Sequence, residues 1–109
     1  MNNADILWRT MSELLNNARS LTLRAVENAY KEEISNAELE IVCHEMKMAN
    51  IAIAQCKDFN STIFKNVDIE GISKKGFDNE INNLIEMRRK ACIKLFSNIK
   101  FFIDIGDEL

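Results

Sequence analysis

The chain has 109 residues, of which 47% are hydrophobic and 28% are charged, so it is long enough for one domain and is not generally disordered. It has no proline and three glycines, which excludes collagen-like, proline-rich and loop-rich all-β proteins. Its 14 basic and 17 acidic residues give a net charge of −3, which argues against a dedicated nucleic-acid-binding protein. We therefore expect one small all-α domain over residues 1–109.

The first predicted helix covers about residues 3–33. Apolar side chains recur along it at steps of three and four residues, which places them on one side of a helix. These residues are Leu7, Met11, Leu14, Ala18, Leu21, Ala25 and Ala29. Trp8, Leu15 and Val26 widen this face, as is typical of a bundle helix.

The second predicted helix covers about residues 36–58. Ser35 followed by Glu38 is a capping box, in which each side chain binds the other residue's backbone N–H at the start of a helix. The main apolar line of this helix comprises Leu39, Val42, Met46, Ala49, Ile53 and Cys56. Four further apolar residues are predicted to lie beside that line: Ile41, Met48, Ala52 and Phe59.

Residues 60–76 break the helical pattern with Asn-Ser-Thr, two glycines and a serine. This predicted loop nevertheless carries Ile63, Phe64, Val67, Ile69 and Ile72, which are too many apolar groups for a solvated linker. We expect it to fold back over the helices. A long loop in a compact domain is uncommon unless it binds something or moves, and these five residues are the predicted partner contacts.

The third predicted helix covers about residues 78–104. Its apolar face comprises Ile81, Leu84, Ile85, Cys92, Leu95, Phe96, Ile99, Phe102 and Ile103. Three long helices with one short and one longer connection predict an antiparallel up-down-up bundle. A second copy of the chain could complete such wide apolar faces, so both a monomer and a homodimer remain open.

Two opposite charges fall within predicted apolar faces. Glu45 projects into the face of the second helix, and Arg88 lies near the centre of the face of the third. Because a lone buried charge is costly, we expect these two side chains to form a partly buried ion pair that sets the register of the bundle. The alternative is that each reaches solvent along its own stem.

The basic residues are concentrated late in the chain. Residues 74–100 hold seven basic and three acidic residues, a local net charge of +4. Arg88, Arg89, Lys90 and Lys94 form the predicted basic patch, which would contact phosphates or an acidic protein, or simply form a solvated face.

No residue pattern indicates catalysis, a cofactor or a metal site. Cys43, Cys56 and Cys92 form no even disulfide framework and are read as buried thiols in a reducing compartment. His44, the single histidine, projects outward, and no spacing of metal ligands accompanies it. Without a signal-peptide pattern or an apolar run of about 20 residues, the chain is predicted to be cytoplasmic and not membrane-bound.

These observations favour a non-catalytic protein–protein interaction module. A small adaptor, a chaperone, an immunity or antitoxin-type inhibitor, or a regulator would fit, binding its partner through an apolar groove or the 60–76 loop. The alternative is a nucleic-acid-binding regulator that uses the basic third helix, and an enzyme is the least favoured class. The frequent Asn, Ile and Lys residues suggest a bacterial or phage-like protein.

Overall fold

The computed structural model describes residues 3–64 and 74–97, and within them it shows three α-helices and no strand. Helix α1 is Asn3–Ala29, α2 is Asn36–Phe59 and α3 is Lys74–Ser97. A π-helical turn, Asn60–Phe64, continues directly from α2. The predicted all-α three-helix architecture is confirmed.

The helices run up, down and up. Two clusters of buried side chains show this, because each cluster joins one end of α1 to the nearby ends of α2 and α3. The first core cluster lies along the amino-terminal half of α1, the end of α2 and the start of α3. Its buried members are Met11, Ala18, Ala52, Ile53, Cys56, Phe59, Phe77, Ile81 and Leu84. The second core cluster joins the end of α1 to the start of α2 and the end of α3. Its buried members are Ala25, Ala29, Val42, Met46, Ala91 and Leu95.

Helix α1 packs more extensively on α2 than on α3. Its buried face includes Ala18, Ala25 and Ala29, none of which is exposed to solvent. Small side chains allow two helix backbones to approach closely. The α1–α2 pair is therefore the closely packed half of the bundle, and α3 packs against it.

The start of α2 is fixed by the predicted capping box. The Ser35 Oγ accepts a hydrogen bond from the backbone N–H of Glu38 at 3.2 Å, and the Ser35 N–H donates to Glu38 Oε1 at 3.4 Å. The side-chain hydrogen bond from Ser35 is the main reason that the pKa of Glu38 lies below its usual value, and Lys31 lowers it further. The prediction of a helix start at this position is confirmed.

Replacing Ser35→Ala should lower the free energy of unfolding by about 1 kcal/mol, because the N-cap acceptor is lost. The folded-state pKa of Glu38 is lowered, so its stabilising contribution is present above its unfolded pKa and lost as pH falls through the folded value. The difference in free energy of unfolding between wild type and variant should therefore become smaller at acidic pH. Urea unfolding followed by circular dichroism at several pH values measures this, with the exposed mid-helix Ser20→Ala variant as control. A difference that becomes larger at acidic pH would contradict it.

The first helix ends four residues before its predicted end at residue 33. Beyond Ala29 the chain forms a turn, in which the Lys31 N–H donates a hydrogen bond to the carbonyl of Asn28, three residues earlier, at 3.4 Å. Glu32 and Glu33 follow. Extending the helix through them would place two negative charges at its negative end, which explains the earlier termination.

The third helix begins at Lys74, four residues before its predicted start. Gly76, predicted to break the helical pattern, instead lies within the first turn of α3. The buried Phe77 side chain, which contacts the ring of Phe59, holds this turn against the bundle. Residues 65–73 and the predicted last turns, 98–104, lie outside the described residues.

A polar layer separates the two core clusters. Thr22 on α1 and Arg88 on α3 lie between the clusters and belong to neither, and we name these two residues the polar layer. Thr22 is fully buried and its Oγ1 has no hydrogen-bond partner among the described residues. The Nε of Arg88 is also buried without a partner. Two unsatisfied polar groups therefore occupy positions where a helical bundle ordinarily has apolar side chains.

The predicted Glu45–Arg88 ion pair is wrong. Glu45 instead accepts a hydrogen bond at 2.6 Å from the Asn28 Nδ2, and the Nε of Arg24 lies 4.0 Å from its second oxygen. The Glu45 side chain is only 12% exposed. Because α1 lies against the side of α2 that carries Glu45, α1 supplies the polar partners, and Arg88 forms no ion pair with any residue in 3–64 or 74–97.

Candidate protein-binding surface

The outer side of α2 carries a second line of large apolar side chains. Ile41, Met48 and Ile51 are 57%, 37% and 45% exposed. At about 100° of rotation per residue, their spacing places them on one side of the helix. That side points away from the core, which contains Val42 and Ile53. The prediction that Ile41 and Met48 lie beside the buried line is therefore wrong, whereas Ala52 and Phe59 are buried as predicted.

Three further exposed residues extend this line, so that its positions recur at steps of four and three residues. We name these six residues the α2 outer strip: Ala37, Ile41, His44, Met48, Ile51 and Gln55. Alternating steps of four and three residues are the heptad spacing of a helix that packs along one partner helix. Single exposed apolar residues are common on protein surfaces, but this regular spacing is what a helix–helix contact requires.

The two edges of the α2 outer strip differ. Along one edge, Asn28 of α1 donates a hydrogen bond to Glu45, and the Nζ of Lys31, just beyond α1, lies 3.5 Å from Glu38 Oε2. Along the other edge, Glu40 and Lys47 are exposed and form no hydrogen bond or ion pair within the part of the chain that the structure describes. The strip therefore has one edge fixed by the bundle and one edge that is accessible to a partner.

The other exposed apolar residues do not form such a line. On α1, Ile6, Trp8 and Leu23 are exposed, and Arg19, which pairs with Glu80 of α3 at 2.8 Å, lies between Trp8 and Leu23. The exposed Tyr30 follows the end of α1. On α3, Ile93 stands alone and is 56% exposed. None of the three helices combines the length and apolarity needed to cross a lipid bilayer.

Only one of the five predicted partner contacts in the 60–76 loop has a described side chain. Ile63 is exposed in the π-helical turn. The side chain of Phe64 and the residues Val67, Ile69 and Ile72 lie outside the description.

The two sides of this loop are joined at its base. The rings of Phe59 and Phe77 pack edge to face with centroids 6.1 Å apart. The Asn60 side-chain amide donates a hydrogen bond to Asp78. The positions where the chain leaves α2 and enters α3 are therefore held together.

The predicted basic patch does not form one surface. Arg88 is half-buried and its Nε is enclosed, and Arg89 lies 2.7 Å from Glu86, which lowers the pKa of Glu86 and raises that of Arg89. Lys90 and Lys94 are exposed on the same side of α3. Because neighbouring helix residues are rotated by about 100°, the four basic groups diverge and only two face solvent together.

The three cysteines lie in different environments, and all are free thiols. Cys56 is buried, and burial raises its pKa. Cys92 is half-buried, with its Sγ 3.7 Å from the sulfur of Met46. Cys43 is exposed, so the prediction that all three thiols are buried is wrong for this residue. His44 faces outward as predicted, and it lies within the α2 outer strip.

No protein-family model matches this chain, and neither the curated proteins nor the solved structures contain a significant match to it. The α2 outer strip is therefore interpreted from its own geometry.

Proposed function

We propose that this protein is a non-catalytic interaction module that binds a protein helix along the α2 outer strip. A small adaptor, a chaperone, an immunity or antitoxin-type inhibitor, or a regulator would act in this way. The observation that carries the proposal is the regular exposure of Ile41, Met48 and Ile51 along one side of α2. Catalysis is not part of the proposal.

The hydrophobic effect gives the strip a driving force for binding. Fully burying an Ile or Met side chain is worth about 1.5–3 kcal/mol, and each of these three is roughly half exposed. Covering all three would therefore contribute about 3 kcal/mol before the cost of association. This favours a partner that covers the whole strip over one that touches a single residue.

The alternative, a nucleic-acid-binding regulator, has weaker support. Affinity for nucleic acid comes largely from clustered positive charges that contact phosphates. On α3, Lys90 and Lys94 are exposed together, but Arg89 is paired with Glu86 and Arg88 is half-buried. Two lysines supply little of the charge that such an interface needs.

A cytoplasmic location is part of the proposal, and so is a bacterial or phage-like source. Three free thiols, one of them exposed, suit a reducing compartment. The frequent Asn, Ile and Lys residues support the proposed source.

The test is affinity capture from lysate of the source cells with three immobilised proteins: wild type, the double variant Ile41→Ser/Ile51→Ser, and Ile93→Ser. Ile93 is a matched control, since it is 56% exposed and lies on α3. We expect one stoichiometric protein to bind wild type and the control but not the double variant, with and without nuclease. Capture that depends on nucleic acid, or that all three proteins share, would contradict the proposal.

A further inference from the structure

The α2 outer strip has nearly the same pattern in both directions along the helix. Counted from Met46, Ile41 and Ile51 are each five residues away, and His44 and Met48 are each two residues away. The ends of the strip, Ala37 and Gln55, are each nine residues away. Two antiparallel copies of this strip would therefore place every Ile opposite an Ile and every His opposite a Met.

We propose that the occupant of the α2 outer strip is the same strip of a second copy of this chain, in an antiparallel, two-fold symmetric contact. This inference rests on the proposed function, because it names the partner of the same surface. A two-fold contact requires one surface patch that is complementary to itself, and a strip symmetric about its centre meets that requirement. Antiparallel heptad contacts pair positions of the two alternating types, as the strip does here.

A parallel contact is less favourable for two reasons. It would stack His44 on His44 of the partner subunit, whereas the antiparallel contact places His44 opposite the partner's Met48. It would also align two helix dipoles in the same direction, whereas the antiparallel contact opposes them. The antiparallel arrangement therefore accounts better for the residues of the strip.

The accessible edge of the strip, which carries Glu40 and Lys47, makes the dimer contact depend on salt concentration. In the antiparallel arrangement the exposed Lys47 approaches Lys47 of the partner subunit near the two-fold axis. These like charges repel each other, and salt screens such repulsion. Dimerisation should consequently strengthen, not weaken, as the salt concentration rises.

The length of the strip limits the affinity. At 1.5 Å per residue, a helix contact over residues 37–55 runs for about 27 Å. One helix pair of this length falls among small interfaces of less than about 1,200 Å² in total, which form reversibly. We expect a monomer–dimer equilibrium with a dissociation constant on the order of ten micromolar.

Sedimentation equilibrium of the full chain tests the proposal between about 1 and 200 µM, a range that brackets this constant. The chain should pass from a 12.5 kDa monomer to a dimer. Ile51→Glu should weaken dimerisation at least tenfold, since it places a charge opposite Ile41, whereas Ile93→Glu should leave it unchanged. His44→Leu should strengthen it severalfold, because a polar group is removed from the contact. Circular dichroism checks that each variant is folded.

Mixing wild type with Lys47→Glu tests the antiparallel arrangement. Opposite charges then meet at the two-fold axis, so native mass spectrometry should show heterodimers above the statistical fraction of about one half. A statistical mixture would overturn this arrangement.

A wild-type chain that stays monomeric throughout the concentration range would overturn self-association altogether. If a different protein is then still captured through Ile41 and Ile51, the proposed function stands without this inference. If no strip-dependent capture occurs either, both fail.

Discussion

Replacing Phe59→Ala should lower the free energy of unfolding by about 3–5 kcal/mol, the usual cost of removing a buried Phe side chain. Phe59 is only 4% exposed and lies in the first core cluster at the end of α2. The substitution also removes the edge-to-face contact with Phe77, which contributes about 0.5–1.5 kcal/mol beyond burial. Since small domains are stable by about 5–15 kcal/mol, the variant should be close to unfolding at 37 °C.

Urea titration followed by circular dichroism measures this loss. The matched control is Ile93→Ala, because Ile93 is a large apolar residue outside the core and its replacement should change the free energy of unfolding by less than about 0.5 kcal/mol. A second variant, Phe77→Leu, keeps most of the apolar volume and removes the aromatic pair. If Phe59→Ala costs no more than Ile93→Ala, the start of α3 is not anchored as the structure shows.

The buried faces and the start of α2 were predictable because each depends on local spacing. Ser35 and Glu38 are three residues apart, and their hydrogen bonds form within one turn of helix. The lines through Ala18 and Ala25 and through Val42 and Ile53 follow helical periodicity and are buried as predicted. Neither feature requires knowledge of how the helices are arranged in space.

The sequence pattern does not distinguish the α2 outer strip from the buried face, because α2 has two apolar lines. Periodicity shows that Ile41, Met48 and Ile51 share one side of the helix. Periodicity does not show which of the two apolar lines of α2 is covered by α1 and α3, and a three-helix bundle can bury only one of them. The signal that identifies the strip is its heptad spacing about 130° around the helix from the buried line.

The Glu45–Arg88 prediction failed for a related reason. A helical projection gives the direction of each side chain relative to its own axis, but not which neighbouring helix lies there. The polar groups nearest Glu45 come from Asn28 and Arg24 of α1, whose sequence pattern gave no reason to pair them with it. Similarly, helix ends depend on charges and tertiary contacts beyond the apolar pattern, as at Ala29 and Lys74.

The Arg88→Met variant should be more stable than wild type by about 1–2 kcal/mol. The Nε of Arg88 is buried with no hydrogen-bond partner among the described residues, and an unsatisfied buried polar group costs about 1–3 kcal/mol. Met keeps an unbranched apolar stem of similar length and removes the unsatisfied group. Arg89→Met is the matched control, because Arg89 is exposed and paired with Glu86, so its loss should be slightly destabilising.

Thr22→Val extends this test to the other side of the polar layer. Thr22 is fully buried and its Oγ1 also lacks a partner, so replacing the hydroxyl with a methyl group should raise stability by about 1 kcal/mol. The sum of the two effects in the double variant shows whether the groups act independently, since neighbours that share a partner are not additive. A loss of several kcal/mol in either single variant would instead show that the polar layer is satisfied in solution, because breaking a satisfied buried interaction is strongly destabilising. A gain in both would show that these polar residues are retained at the expense of stability, which is expected where a sequence serves something other than its own fold.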